Sequence, residues 1–384
     1  MKANTGTHCV PPTLNISGPL PPLIFMNVDE RLALVTRNTE ELVTEEELRA
    51  LLTEKEEPTA YIGFEPSGTV HLGWVLVAQK IRDLCDAGFK VTIFWADWHA
   101  YINDKLGGDI ENIRTCARYM QDCFIALGVP KDKVEFKYAS DLCSEIEYWE
   151  KVIKVAKVTS LSRVKRAMTI MGRSEDEAEV DASKVLYPIL QATDIFFLNC
   201  DVAYAGIDQR RAHMLARDAA DKLGWKKPVA LHTPLLPGLK GGNRMDPIEN
   251  KMSKSKPEGN ITIHDNRDDI AKKMKKAYCP MDKLDAEGNE EVNPVLMLCK
   301  YIIIPRNGSL FVDRPEQYGG PVTYNSYEEL EQAYFDKKLS PFDLKTGVTD
   351  GMAKTLEPVA EYFAAHPENR EALAKVLEGL TKLR

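Results

Sequence analysis

Short apolar runs alternate with amphipathic stretches of helical length from residue 59 onward. Few folds accept that rhythm. Thr59-Ala60-Tyr61-Ile62-Gly63-Phe64 reads as a strand, broken by Pro66-Ser67-Gly68, and residues 72–86 read as a helix closed by Gly88. Residues 90–96 and Val134–Tyr138 follow as strands. Residues 201–206 form a fourth, which runs into a helix over 209–223 that Gly224 ends. Strands joined by helices build a parallel sheet covered on both faces, so the expected fold is α/β, a doubly wound Rossmann-like sheet. Ahead of it, Thr44 with Glu47 forms a capping box for a helix over Glu45–Glu54.

Composition shifts divide the rest. Residues 1–27 carry Pro11, Pro12, Pro19, Pro21 and Pro22 and read as an irregular arm, because proline fixes φ and removes a donor. Residues 28–282 hold the sheet, with a mainly helical insertion over 144–194. In that insertion Pro188 is tolerable in a first turn, which places a helix start near Tyr187. Past Pro280 the alternation stops. Helices are expected over 293–303, 327–335, 347–365 and 368–383, with a single extended piece at 322–325. Residues 283–384 are therefore expected to form a mostly helical C-terminal domain.

Hydrophobic residues at 44% and charged residues at 28% of 384 are those of a soluble globular chain. A net charge of -8 argues against indiscriminate nucleic-acid binding, DNA included, and leaves room for a local basic patch. Eight cysteines without a Cys-x-x-Cys pair argue against a structural metal or a dithiol redox centre, and reduced thiols fit a cytoplasmic location. The apolar runs 91–95 and 301–305 are strand-sized, so no membrane span is expected. The proline arm lacks the apolar segment of a signal peptide.

Four constellations carry chemistry. Lys251-Met252-Ser253-Lys254-Ser255 sets two ammonium groups and two hydroxyls in a polar loop, which suits a triphosphate whose charge moves during reaction, although such loops are often only solvated. His71-Leu72-Gly73-Trp74 opens a helix after a strand and presents an imidazole and a glycine amide where anions are favoured; a buried capping histidine is the plainer reading. Tyr187, Gln191 and Asp194 fall on one helical face among Ile, Leu and Phe, where polar groups are costly without partners. Gly206-Ile207-Asp208-Gln209 ends a strand and opens a helix, with an acid suited to a ribose hydroxyl and an amide suited to an ammonium group.

Together, Lys251–Ser255 and His71–Trp74 resemble the KMSKS and HIGH signatures of class I aminoacyl-tRNA synthetases, with Trp74 in place of the final histidine. With Tyr61 and the stretches 61–73, 96–102, 187–194, 206–217 and 277–280, the chain resembles tyrosyl-tRNA synthetases of the archaeal and eukaryotic cytoplasmic branch over residues 30–360. The resemblance implies that Tyr61 and Asp194 bind the phenol of L-tyrosine. Tyr187, Gln191 and Gln209 would surround its ammonium group, and Ala96 and His99 would line the pocket floor. His71, Gly73, Asp208, Lys251, Met252, Ser253, Lys254 and Ser255 would serve ATP, with His71, Gly73, Lys251 and Lys254 catalytic. Mg²⁺ would come with the nucleotide, with no protein-bound metal.

It further implies a homodimer serving tRNA(Tyr), with Arg166, Arg210 and Arg211 near the acceptor stem and Tyr318 and Asp343 reading the anticodon. Two rivals share the signatures or the fold: the tryptophan enzyme, whose indole offers no hydroxyl to Tyr61 and Asp194, and a non-catalytic RNA-binding relative, which would have eroded nucleotide motifs.

Overall fold

The computed structural model describes residues 26–172, 181–241, 259–285 and 288–382. Six strands, β1 (Glu41–Val43), β2 (Thr59–Phe64), β3 (Lys90–Trp95), β4 (Val134–Tyr138), β5 (Val202–Gly206) and β6 (Val229–Thr233), form one sheet in the order β1-β6-β5-β2-β3-β4. All neighbours pair in parallel except β1, which runs antiparallel to β6 at the edge. Helices Gly73–Asp86, Ile110–Ala126 and Arg210–Leu223 make the crossovers. The chain winds from β2 outward through β3 and β4, then returns to lay β5 on the other side of β2. Winding therefore reverses between β2 and β5, and a crevice opens at their carboxyl ends.

Two of these strands lay outside the sequence expectation. β6 is five residues between Pro228 and Pro234 and is buried throughout, so it shows no alternation of apolar and polar residues. β1 spans three residues, too few for periodicity. The helix carrying Tyr187 also departs from expectation. It begins at Ala182, capped by Asp181, and runs to Phe197 with Pro188 in its interior. The start near Tyr187 is thus corrected to a position five residues earlier.

The single C-terminal extended piece is corrected as well. β7 (Leu310–Val312) pairs antiparallel with β8 (Val322–Tyr324). The following helix starts at Pro341 rather than at residue 347, with Ser340 accepting from the Asp343 amide. Gly347, the expected first residue, sits inside that helix, and a Cβ there would lie 2.8 Å from Val312 Cγ2 and 3.1 Å from the Phe311 carbonyl. Glycine here permits close packing of the helix on β7.

One apolar cluster runs from Ile81 and Tyr119 through Leu296, Ile302, Val348 and Val359. Helix Glu368–Lys382 packs on Ile110–Ala126, where Asp122 accepts from Tyr362 Oη (3.2 Å) and Asn369 Nδ2 (2.8 Å). The first helix, Val28–Thr36, is held by Arg31, whose guanidinium donates to the carbonyls of Ala87, Leu52, Lys55 and Glu56. Seven described cysteines are unbridged, five of them buried.

Candidate active site

A cleft of about 290 Å³ opens at the carboxyl ends of β2, β3, β5 and β6. Tyr61, His71, Gly73, Ala96, His99, Tyr187, Gln191, Asp194, Asp208 and Gln209 all line it. Residues separated by well over a hundred positions thus meet in one cavity. Lys251, Met252, Ser253, Lys254 and Ser255 lie outside the described residues.

The deep end is buried. Tyr61, on β2, is buried against Phe94, with ring centroids 5.6 Å apart. Gly63 lies two residues on, on the same face of the strand, and a Cβ there would stand 2.5 Å from the Tyr61 hydroxyl. Asp194 is fully buried. Its Oδ1 accepts from Tyr148 Oη at 2.7 Å, while Oδ2 has no hydrogen-bond partner and lies 3.3 Å from His99 Nε2. Neither ring nitrogen of His99 is hydrogen-bonded. Burial pushes the Asp194 carboxyl well above its usual range, with the Tyr148 bond opposing that rise. Burial also drives His99 down to about 3, so the imidazole is neutral. Tyr61 is raised, first by burial and then by the charge of Asp194, and stays a phenol.

His99 is placed by the short helix Asp97–Ile102 that follows β3. Asp97 there accepts from the Ser140 amide (3.0 Å), the Ser140 hydroxyl (2.7 Å) and the Trp98 amide (3.0 Å), tying this helix to the end of β4. The His99 ring meets Tyr187 edge-on at 4.8 Å.

Midway along the cleft stand Tyr187, Gln191 and Gln209. Gln191 Nε2 donates to Gln209 Oε1 (3.3 Å), and Gln209 Nε2 donates to the Ile170 carbonyl (3.1 Å). Gln191 Oε1 is buried with no partner. The Tyr187 hydroxyl donates to Glu65 Oε1 at 2.6 Å, and Glu65 also accepts from Asn103 Nδ2. Glu65 is also paired with Lys105 Nζ (3.5 Å), so Gln191 Oε1 is the acceptor left open here, which suits an incoming N–H donor.

Glu65 and Tyr148 were missed by sequence reasoning. Glu65 directly follows the central strand, where doubly wound folds collect ligand groups, and that rule alone would have found it. Tyr148 gives no such signal. It shares the inward face of helix Ile146–Val158 with Val152 and Val155 and reads as an ordinary core aromatic.

Toward the mouth, helix Gly73–Asp86 begins beneath His71. The Gly73 amide donates to His71 Nδ1 (3.1 Å), and a Cβ on Gly73 would come within 2.8 Å of His71 Cε1. Trp74 stacks on Phe64, with centroids 4.7 Å apart, so this position is filled by an aromatic wall. Across the cleft a Cβ on Gly206 would stand 2.9 Å from Asp208 Oδ1, so the glycine gives the carboxylate room.

The expected RNA-facing residues lie elsewhere on the surface. Arg211 Nη1 donates to the Arg166 carbonyl (2.8 Å) and to Thr169 Oγ1 (3.0 Å), which brings these two arginines together. Arg210 Nε donates to both Glu41 carboxylate oxygens at 2.8 Å. Tyr318 ends a short 3-10 turn with its ring exposed, and Asp343 lies in the first turn of helix Pro341–Ala365, capped by Ser340. No group of three His, Cys, Asp or Glu among the described residues is arranged to hold a metal ion.

Residues 53–357 match the family model described as tRNA synthetases class I (W and Y). A tyrosine–tRNA ligase of Aeropyrum pernix is 48% identical over 367 residues, covering 93% of this chain and 99% of that protein. The crystal structure of tyrosyl-tRNA synthetase from Aeropyrum pernix superposes with a TM-score of 0.80 at 45% identity, covering 91% of this chain and 99% of that one. That of tyrosyl-tRNA synthetase complexed with L-tyrosine from Pyrococcus horikoshii gives 0.83 at 40% identity, covering 91% and 100%. A cleft this composed, on a chain matched over most of its length by such relatives, leads to one conclusion: the chain belongs to the class I tRNA synthetases of the tryptophan and tyrosine group, and within it to the tyrosine–tRNA ligases.

Proposed function

We infer that the chain activates L-tyrosine with ATP and transfers the tyrosyl group to the terminal ribose of tRNA(Tyr). One observation carries this reading: buried polar atoms without partners, Asp194 Oδ2, Gln191 Oε1 and both nitrogens of His99, line a single cleft. Unpaired buried polar groups are costly, and a ligand with a hydroxyl at one end and an ammonium group at the other satisfies them. A tyrosine side chain entering the buried end meets Tyr61 and Asp194 with its phenol. Its ammonium group then sits among Tyr187, Gln191, Gln209 and Glu65, which leaves the carboxylate facing the mouth.

There the tyrosine carboxylate attacks the α-phosphorus of ATP, tyrosyl-adenylate forms and pyrophosphate leaves. Asp208 holds the ribose. His71, the Gly73 amide, Lys251 and Lys254 stabilise the migrating phosphate charge. Met252, Ser253 and Ser255 serve the nucleotide with them, and Mg²⁺ enters as part of the nucleotide substrate. The terminal ribose hydroxyl of tRNA then attacks the adenylate carbonyl. No protein nucleophile takes part, so rate comes from positioning and preorganised charge.

Phenylalanine leaves the Tyr61–Asp194 end unpaired, which supports discrimination of roughly 10⁴–10⁵ without an editing site. Arg166, Arg210 and Arg211 would face the acceptor stem. Residues 283–384 would read the anticodon, with Tyr318 stacking on a base and Asp343 accepting from one. A homodimer is supported by Ile146, Trp149 and Ile153, which leave one face of helix Ile146–Val158 apolar and exposed. No helix among the described residues is long and apolar enough to cross a membrane, and a cytoplasmic site of action is in keeping with the activity.

Tyrosine-dependent ATP–pyrophosphate exchange tests the assignment. Exchange with tyrosine and not tryptophan is expected, and Asp194→Ala should abolish it in a protein that stays folded. Undiminished exchange in that variant would overturn the pocket.

A further inference from the structure

We propose that Tyr148 is a positioning residue for amino-acid selection: its hydroxyl, bonded to Oδ1 of Asp194, orients the carboxylate so that Oδ2 is offered to the substrate phenol. The proposal rests on the tyrosine pocket described above and adds a residue that does not itself line the cleft.

The geometry is specific. Tyr148 is fully buried on helix Ile146–Val158, and Phe197 packs edge-on against its ring with centroids 5.4 Å apart. Held that way, the hydroxyl reaches Asp194 Oδ1 at 2.7 Å from outside the cleft. It makes the one hydrogen bond the Asp194 side chain has among the described residues. His99 approaches the other oxygen at 3.3 Å without making a hydrogen bond, and being neutral it supplies no charge. Asp194 therefore has one oxygen committed to Tyr148 and one left over. A carboxylate accepts on both oxygens, so the pair Tyr148 plus substrate phenol satisfies it and favours the ionised form.

The other titratable groups near Asp194 do not replace this support. Tyr61 on β2, Tyr187 on its own helix, and the thiols of Cys143 and Cys200 interact with its charge and are all held in their neutral forms by burial. Asp97 is a like charge and raises the Asp194 pKa. Removing the Tyr148 hydroxyl should then let Asp194 take up a proton more readily. A neutral, unanchored acid tolerates a substrate that lacks the hydroxyl better than a carboxylate does.

Tyr148→Phe deletes one oxygen and keeps the ring. Near-ultraviolet circular dichroism checks that the fold is intact. In pyrophosphate exchange, kcat/KM for tyrosine should fall by about ten- to a hundredfold, the range of one hydrogen bond to a charged group. The tyrosine-to-phenylalanine preference should shrink, and the acidic limb of the pH profile for tyrosine should move to higher pH. In an Asp194→Asn background the same change should cost little more, since the partner is already altered. A loss equal for both amino acids, with an unmoved pH limb and full additivity in the double variant, would mean a merely structural tyrosine and overturn the proposal. If Asp194→Asn alone leaves tyrosine activation intact, the pocket assignment itself fails, and the role of Tyr148 falls with it.

Discussion

Gly63→Ala puts a single methyl group into the strand that carries the selective phenol. Its Cβ would stand 2.5 Å from Tyr61 Oη and 3.1 Å from Cζ, where ordinary contact begins at 3.4 Å, so the hydroxyl must move by about 0.9 Å. The strand cannot take up that motion. β2 is paired on both flanks, Gly63 with Phe94 and Tyr61 with both Thr92 and Ala203. The ring is buried beside Phe94 and has little room to turn. The displacement therefore appears at the hydroxyl, where a misplacement of about 1 Å costs on the order of 10²-fold in rate. Overpacking should cost a further ~1–3 kcal/mol of stability. Pyrophosphate exchange at varied tyrosine and varied ATP separates the effects: kcat/KM for tyrosine should drop by about two orders of magnitude while the KM for ATP holds. Wild-type tyrosine kinetics in a folded Gly63→Ala protein would refute the reasoning, because the Tyr61 hydroxyl would then not be where selection occurs.

Two further outcomes follow from buried charge. His99, His264, His213 and His232 are all pushed down chiefly by burial, the first two to about 3 and about 4. Unfolded histidines take up protons near 6.5 and these do not, so the stability they support is complete above that pH and is lost as pH falls toward the folded values. Each adds a slope of up to ~1.4 kcal/mol per pH unit. Asp194 and Asp86, raised by burial, work the other way, two groups against four. Urea midpoints should fall steadily from pH 7 to pH 5, and a flat profile would contradict the neutral, buried histidines. Asp201, at the amino end of β5, accepts from Lys55 Nζ (2.8 Å), the Thr59 amide (2.8 Å) and Lys226. Asp201→Ala strands the Thr59 amide, while the half-exposed Lys55 and Lys226 turn to water, so it should cost about 1–3 kcal/mol in urea denaturation. It stands at the opposite end of the sheet from the cleft, so the KM values for tyrosine and ATP should not change.

The residues that announce themselves in the sequence are those whose chemistry is local. His71-Leu72-Gly73 opens a helix after a strand, and Tyr187, Gln191 and Asp194 share a helical face whatever surrounds them. All four expected strands, β2, β3, β4 and β5, were legible to within a residue because composition and turn chemistry agreed. β6 was not, since a strand buried on both faces has no alternation to detect. Pro188 misled because its helix is held by packing on both sides, which offsets one missing hydrogen bond. Gly347, expected to open its helix, lies within it, and the contact with β7 that requires a glycine there leaves no local pattern. Tyr148 and Glu65 act through partners 46 and 122 positions away, and no local pattern encodes such a pairing.

The contact between the Gly73 amide and His71 also settles where the imidazole keeps its proton. A nitrogen that receives an N–H bond must offer its lone pair, so neutral His71 is the Nε2–H tautomer. In the proposed nucleotide site the ring is thus preset as a donor at that nitrogen. It can greet an oxyanion without first gaining a proton, and its contribution should persist at alkaline pH.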